Sequence, residues 1–198
     1  MNIDQRNELL YQSLEHEIGG VKVYETALQC VVNGDLKEEW EKYLRQTRHH
    51  VEVMQSLCKQ LGLDINTQTP GRAVVRQNGE ALVRAMQAAR QAGKPEAAQL
   101  VACECIVLAE TKDHADWELI GQCADAAEGK ERDALLQAYQ QVEDEEDEHL
   151  YHTKGWCREL WLESLGLPCE LPPPEEVRKV KTAVAAAKAE TESLARRH

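Results

Sequence analysis

Six consecutive acidic residues, Glu143 to Glu148, run directly into His149. Around them, apolar residues recur at alternating spacings of four and three, which is the period of a helix face packed against other helices. This period places Glu146 and His149 on the inward face and leaves most of the other acids facing water. Glu and His three residues apart lie on one side of a helix, so both can reach one ion. Mixed carboxylate and imidazole ligands suit iron or manganese and can also hold zinc.

The same periodicity predicts four long helices that would position these groups. They cover Ile3–Val32, Leu36–Leu61, Glu96–Ala127 and Glu131–Leu165, with Asp35 as the N-cap of the second helix. Because the break between the first two helices is short, we expect them to be antiparallel neighbours.

Each of the four inward faces carries polar residues near the middle of its helix. Burying one unpaired carboxylate costs several kcal/mol, and three at one level would cancel a total stability of about 5 to 15 kcal/mol. One or two bound metal ions would supply the compensating charge, and a metal-free network of Glu–His hydrogen bonds is the alternative. The candidate metal ligands are Glu17, His50, Glu110, His114, Glu146 and His149, while Glu145 and His152 lie close enough to contact them.

Two glycines, Gly19 and Gly20, follow Glu17 inside the first predicted helix. Glycine in a helix interior costs about 1 kcal/mol relative to alanine. Either a close helix crossing or a site that needs open space would explain them.

A long connection separates the second and third of these helices. Asp64–Arg72 contains a Pro-Gly pair and predicts a loop, whereas Ala73–Ala92 has an apolar stripe and predicts an extra helix. We therefore predict an all-α fold: an antiparallel four-helix bundle over residues 1–167 with one long crossover. Residues 168–198 begin with a proline-rich break and predict a peripheral or partly disordered helical tail.

The composition favours helices and argues against several classes of partner. Phe is absent, and the net charge of −12 argues against nucleic-acid binding, which needs a basic face. No apolar run approaches the roughly 20 residues of a membrane span, and residues 1–16 do not resemble a signal peptide. The seven cysteines include no Cys-x-x-Cys pair, so we expect a reducing, cytoplasmic setting without a disulfide framework.

The motif pattern resembles the ferritin-like superfamily of dinuclear carboxylate proteins, which includes bacterioferritins and rubrerythrins. In that pattern two helices each contribute a Glu and two others each contribute Glu-x-x-His. Glu17 to Tyr24 resembles the first-helix motif, Glu110 stands at the third-helix position, and Glu146 to His149 matches the fourth-helix motif in full. The resemblance covers about residues 3–165 and implies a centre of two iron ions, with manganese or zinc as other candidates.

The second helix departs from this pattern, because Thr47 occupies the Glu position and only His50 matches. The replacement ligand is Asp113, His114 or water, or else the protein binds one ion instead of two.

The resemblance implies redox activity with oxygen or peroxide, as in a di-metal oxidase or peroxidase. Tyr24 and Trp117 would be nearby aromatic residues, with a redox role or a packing role. No rubredoxin-type cysteine set is present, so an external electron donor would be needed. Two alternatives stay open: iron storage or detoxification in a homo-oligomeric shell, and a metal-free bundle with a structural or partner-binding role, which Thr47 favours.

Overall fold

The computed structural model describes residues 1–174 and shows an all-helical protein, with no strand among those residues. The all-α prediction is confirmed, and the part of the predicted tail from residue 175 onward lies outside the described residues. None of the described helices is long and apolar enough to cross a membrane. The five helices are α1 (Ile3–Ala27), α2 (Gly34–Gln60), α3 (Pro70–Gln91), α4 (Pro95–Ala126) and α5 (Gly129–Ser164).

The junction between α1 and α2 differs from the sequence-based prediction. α1 ends at Ala27 instead of Val32, and the N–H groups of Gln29 and Cys30 bond carbonyls only three residues back. Beyond this turn, the Gln99 side-chain oxygen of α4 accepts hydrogen bonds from the backbone N–H groups of Val32 and Asn33 at 2.8 and 2.7 Å. Asn33, and not Asp35, is the N-cap of α2, since its side chain accepts a first-turn N–H at 3.0 Å. A contact between distant helices therefore holds this junction.

The start of α3 also differs, because residues predicted as loop form its first turn. Thr69 is the N-cap, and its hydroxyl oxygen accepts a hydrogen bond from the Arg72 N–H at 3.0 Å. Pro70 occupies the first helical position, where the missing N–H has no consequence.

Four helices form a closed ring in which α1 packs on α2, α2 on α5, α5 on α4 and α4 on α1, while α3 lies against both α1 and α4. Apolar side chains fill the two ends of this ring. One cluster includes Tyr24, Trp40 and Trp156, and the other includes Met54 and Trp117. The polar middle of each helix lies between the two clusters.

An ion pair holds α3 to α1. Arg72 Nε donates to Glu15 Oε2 at 2.8 Å, and Arg76 Nε donates to Glu15 Oε1 at 2.6 Å. Hydrogen bonding from Arg76, followed by that from Arg72, lowers the pKa of the Glu15 carboxyl although burial opposes it. Both Glu15 and Arg72 are buried, so each needs the other as a charge partner.

Glu15→Gln should destabilise the protein at neutral pH. Because the folded pKa of Glu15 is lowered, its ionised form stabilises the native state above the ordinary pKa of glutamate, and that contribution is lost as pH falls through the folded value. We expect the free energy of unfolding at pH 7 to fall by about 2 to 4 kcal/mol, with a smaller difference below pH 4, both measured by urea denaturation. Glu80→Gln is the control, because Glu80 is exposed and lies 3.6 Å from Arg84, and its loss should change stability by less than about 1 kcal/mol. Equal effects of the two substitutions would contradict the assignment.

Candidate metal centre

A layer of polar side chains crosses the middle of the helix ring, and every ring helix contributes to it. Each of these residues is at most 4% exposed, although the two neighbouring clusters are apolar. We refer to this set as the polar layer: Glu17, Thr47, His50, Glu110, Asp113, Glu146 and His149.

The two histidines turn the same ring atom toward the carboxylates. His50 Nδ1 lies 3.0 Å from Glu146 Oε1 and 3.7 Å from Glu17 Oε1. His149 Nδ1 lies 3.5 Å from Glu146 Oε1 and 3.6 Å from Glu110 Oε2. None of these contacts has the geometry of a hydrogen bond, and Glu146 is common to both histidines.

The other ring nitrogen of each histidine, Nε2, is hydrogen-bonded to a side chain outside the layer. His50 Nε2 hydrogen-bonds Glu145 Oε2 at 2.8 Å, and His149 Nε2 hydrogen-bonds Gln46 Oε1 at 3.0 Å. Because the Gln46 oxygen accepts the Nε2 proton, a neutral His149 keeps a lone pair on Nδ1. Partners of this kind commonly fix the orientation of metal-binding histidines.

Two aromatic side chains donate hydrogen bonds to the carboxylates of Glu17 and Glu110, one to each. Trp117 Nε1 of α4 donates to Glu17 Oε1 of α1 at 2.8 Å, and the Tyr24 hydroxyl of α1 donates to Glu110 Oε1 of α4 at 2.7 Å. The second oxygen of each carboxylate, Oε2, has no hydrogen-bond partner. The aromatic pair therefore orients the carboxylates and leaves an oxygen of each free for a ligand.

Seven buried atoms of the polar layer have no hydrogen-bond partner. Native proteins leave only a few such groups per 100 residues, and each costs about 1 to 3 kcal/mol. A cation in the layer would satisfy them. The seven atoms are Glu17 Oε2, His50 Nδ1, Glu110 Oε2, Asp113 Oδ1, Glu146 Oε1 and Oε2, and His149 Nδ1.

Two groups within the layer have ligand atoms close enough to surround an ion. His50, Glu146 and His149 form one group, and Glu17, Asp113 and Glu146 form the other, each with its atoms within 4.8 Å of one another. Metal–ligand distances of about 2.0 to 2.2 Å place two ligands of one ion up to about 4.4 Å apart. Small side-chain movements would therefore complete either group, and Glu146 belongs to both.

The pKa values show how the layer balances its charge without a metal. Burial, together with the charge of Glu146, raises the pKa of Glu17 to about 8, against the attraction of His50. Burial and the charges of Glu146, Glu17 and Glu110 raise the pKa of Asp113 well above its ordinary value. Burial lowers the pKa of His50, but the charge of Glu17 and the bond to Glu145 outweigh it and raise the pKa to about 10. Each of these shifts favours the protonated form of the group, and a bound metal would compete with those protons.

The structure brings five of the six sequence-predicted ligands into the layer. His114 lies outside both groups, with its Nε2 bonded to Asp147 Oδ1 at 2.9 Å, so its role as a ligand stays a prediction. Thr47 supplies no carboxylate, and its hydroxyl donates to the Tyr43 carbonyl of its own helix at 3.0 Å. Asp113, which the sequence left as an alternative, supplies a buried carboxylate instead.

Sequence reasoning missed Gln46. Its position one residue before Thr47 corresponds to that of Glu145, one residue before Glu146. Comparing the two helices position by position would have identified it.

The chain matches no protein-family model, no curated protein and no solved structure.

Asp113→Asn should stabilise the metal-free protein. Because burial and neighbouring carboxylates raise the pKa of Asp113 in the fold, ionisation of this carboxyl destabilises the native state above the ordinary pKa of aspartate. We expect the free energy of unfolding to rise at pH 7.5, with the gain disappearing toward pH 4, in urea titrations with chelator. Asp116→Asn is the control: Asp116 is equally buried but paired with Lys112, so its removal should destabilise. Loss of stability in Asp113→Asn at pH 7.5 would contradict a raised pKa of Asp113 in the native state.

Glu145→Gln should weaken metal binding through His50. The hydrogen bond with His50 lowers the pKa of Glu145 to about 2, so an ionised carboxylate supports the imidazole. Loss of such a partner lowers metal affinity by roughly 10- to 100-fold, which calorimetric titration with Mn(II) would detect. Glu148→Gln, in the same acidic run but bonded to Lys42 at 2.6 Å, should leave the affinity unchanged. Unaltered binding in both variants would remove Glu145 from the site.

Proposed function

We propose that this protein is a ferritin-like four-helix bundle that binds two transition-metal ions, iron or manganese, and reacts with oxygen or peroxide. The observation that carries the proposal is the convergence in one layer of seven buried nitrogen and oxygen atoms that have no hydrogen-bond partner. The Glu and Glu-x-x-His pattern of the sequence supports the same interpretation. A bundle without metal would need protons alone to balance several buried carboxylates.

The proposed ligands divide between two ion positions. His50 and His149 would serve one position and Glu17 and Asp113 the other, with Glu146 shared, as the two groups of converging atoms suggest. Glu110 adds a free oxygen 3.6 Å from His149 Nδ1. In this arrangement Asp113 supplies the carboxylate that Thr47 lacks. Mixed imidazole and carboxylate ligands of this kind favour iron or manganese, and zinc is also compatible with them.

Bound iron or manganese would supply one-electron redox chemistry with oxygen or peroxide. The chain contributes orientation, charge and exclusion of water. Trp117 and Tyr24 fix the flanking carboxylates, and the apolar clusters at both ends keep bulk water from the layer. Glu145 holds a proton on His50 Nε2 and so directs Nδ1 inward. An external donor would return the electrons.

A metal-free bundle with a structural or partner-binding role is the competing hypothesis. It is favoured by Thr47, whose hydroxyl is bonded within its own helix, and by the raised pKa values of Glu17 and Asp113, which allow protons to balance the charge. It predicts that metal ions do not stabilise the protein.

Metal binding and iron oxidation would test the proposal directly. After anaerobic loading with Fe(II), elemental analysis should find two ions per chain, and the thermal midpoint should rise with metal and fall with chelator, because a ligand of the native state stabilises it. On exposure to air, Fe(II) oxidation should be at least about tenfold faster than in Glu146→Gln, since that variant removes the carboxylate common to both ion groups.

Glu148→Gln is the matched control and should behave as the wild type. Failure to bind Fe(II) or Mn(II), with no metal-dependent change in thermal midpoint, would reject the proposal in favour of the metal-free bundle. A loading far above two iron ions per chain would instead favour storage.

A further inference from the structure

A glutamate next to the polar layer accepts hydrogen bonds from two oxidisable aromatic residues. The Tyr43 hydroxyl donates to Glu39 Oε1 at 2.8 Å, and Trp156 Nε1 donates to Glu39 Oε2 at 2.9 Å. Glu39 and Tyr43 lie one turn apart on α2, whereas Trp156 lies on the neighbouring α5. One carboxylate therefore joins a tyrosine and a tryptophan from two different helices.

The tyrosine of this group is in ring contact with the polar layer. The centroids of the Tyr43 and His149 rings are 4.2 Å apart, and their planes are inclined by 42°. Tyr43 and Trp156 are both buried in one apolar cluster. The Glu39 side chain is 21% exposed, and its Oε1 lies 3.6 Å from His152 Nδ1. The group thus leads from a candidate metal ligand, through Tyr43 and Glu39, to a second buried aromatic residue.

Hydrogen-bond satisfaction alone does not require a carboxylate between the two aromatic residues. A buried tyrosine or tryptophan needs an acceptor, but a neutral carbonyl or hydroxyl oxygen would serve each of them without desolvating a charge. A carboxylate can also take up a proton at one oxygen and so become a donor. In the polar layer the tyrosine and the tryptophan bond different carboxylates, whereas at Glu39 they share one.

We propose that Tyr43, Glu39 and Trp156 form a relay that exchanges a hydrogen atom between the tyrosine and the tryptophan. When Trp156 loses one electron, its Nε1 proton moves to Glu39 Oε2. One electron then passes from the Tyr43 ring to Trp156, the phenolic proton moves to Glu39 Oε1, and Oε2 returns its proton to Nε1. The step restores Trp156, leaves a neutral radical on Tyr43, and leaves one proton on Glu39.

The same exchange runs in reverse when the oxidant acts on Tyr43 first. An oxidising equivalent produced from oxygen or peroxide in the polar layer takes an electron from Tyr43 across its contact with His149. The relay then moves that equivalent to Trp156, away from the layer. This use of the relay rests on the proposed function, because it needs an oxidant in the layer. The exchange between the two aromatic residues does not, so the metal-free protein suffices to test it.

Laser photoionisation of the metal-free, full-length protein tests the exchange. A short ultraviolet pulse removes electrons from tryptophan side chains, and nitrous oxide with tert-butanol scavenges the ejected electrons. We expect part of the tryptophan-radical absorption to convert into tyrosine-radical absorption, at a rate that does not depend on protein concentration. This phase should be lost in Tyr43→Phe, which keeps the ring but removes the hydroxyl group, and in Trp156→Phe.

Glu39→Gln separates a relay from a purely structural contact. The amide keeps the size of the side chain and an acceptor oxygen but does not take up a proton at neutral pH. We expect the exchange to slow by at least about tenfold, because a positioned proton acceptor contributes about 10²- to 10⁴-fold to a proton transfer. Glu39→Asp restores a carboxylate and should exchange faster than Glu39→Gln. Circular dichroism checks that each variant is folded.

Glu104→Gln is the matched control, because Glu104 accepts a hydrogen bond from the exposed Trp161 at 3.1 Å, outside the relay; the exchange rate should be unchanged. Absence of a tyrosine radical in the wild type, or a wild-type rate in folded Glu39→Gln or Tyr43→Phe, would overturn the relay. If Glu39→Gln does not fold, Tyr43→Phe still decides the matter. None of these outcomes affects the metal proposal, which Fe(II) loading tests separately.

Discussion

Mutual repulsion among four buried carboxyl groups in one layer is the constraint around which the rest of this structure is arranged. Glu17, Glu110, Asp113 and Glu146 are all nearly inaccessible to solvent, where charge is poorly screened. Hydrogen bonds, two histidines and bound protons offset part of the repulsion. The seven atoms that still have no hydrogen-bond partner are the physical basis for the metal proposal.

The layer has approximate two-fold symmetry between the α1–α2 pair and the α4–α5 pair. Trp117 holds Glu17 as Tyr24 holds Glu110, and the two histidines are supported from outside by residues at equivalent positions. The symmetry fails at two positions. Thr47 stands at the position equivalent to Glu146, and Gly20 stands at the position equivalent to Asp113.

The two residues that break the symmetry, Gly20 and Thr47, lie close to each other. In the first pair, Gly20 brings the α1 backbone close to the Thr47 methyl group, which leaves no carboxylate there. In the second pair, both equivalent positions carry acids, so the negative charge is concentrated on α4 and α5. The carboxylates of the layer are thus divided unequally between the two pairs, with Glu17 on α1 and the other three on α4 and α5.

The sequence alone determined the helices and most of the candidate ligands. A helix repeats every 3.6 residues whatever its partners are, so local periodicity was enough to place Glu17, His50, Glu146 and His149 on inward faces. Only the tertiary structure decided that Asp113 joins them while His114 bonds Asp147, and that Gln99 bonds the junction between α1 and α2. These outcomes depend on the rotation and register of one helix against another, which are set by contacts between residues far apart in the chain.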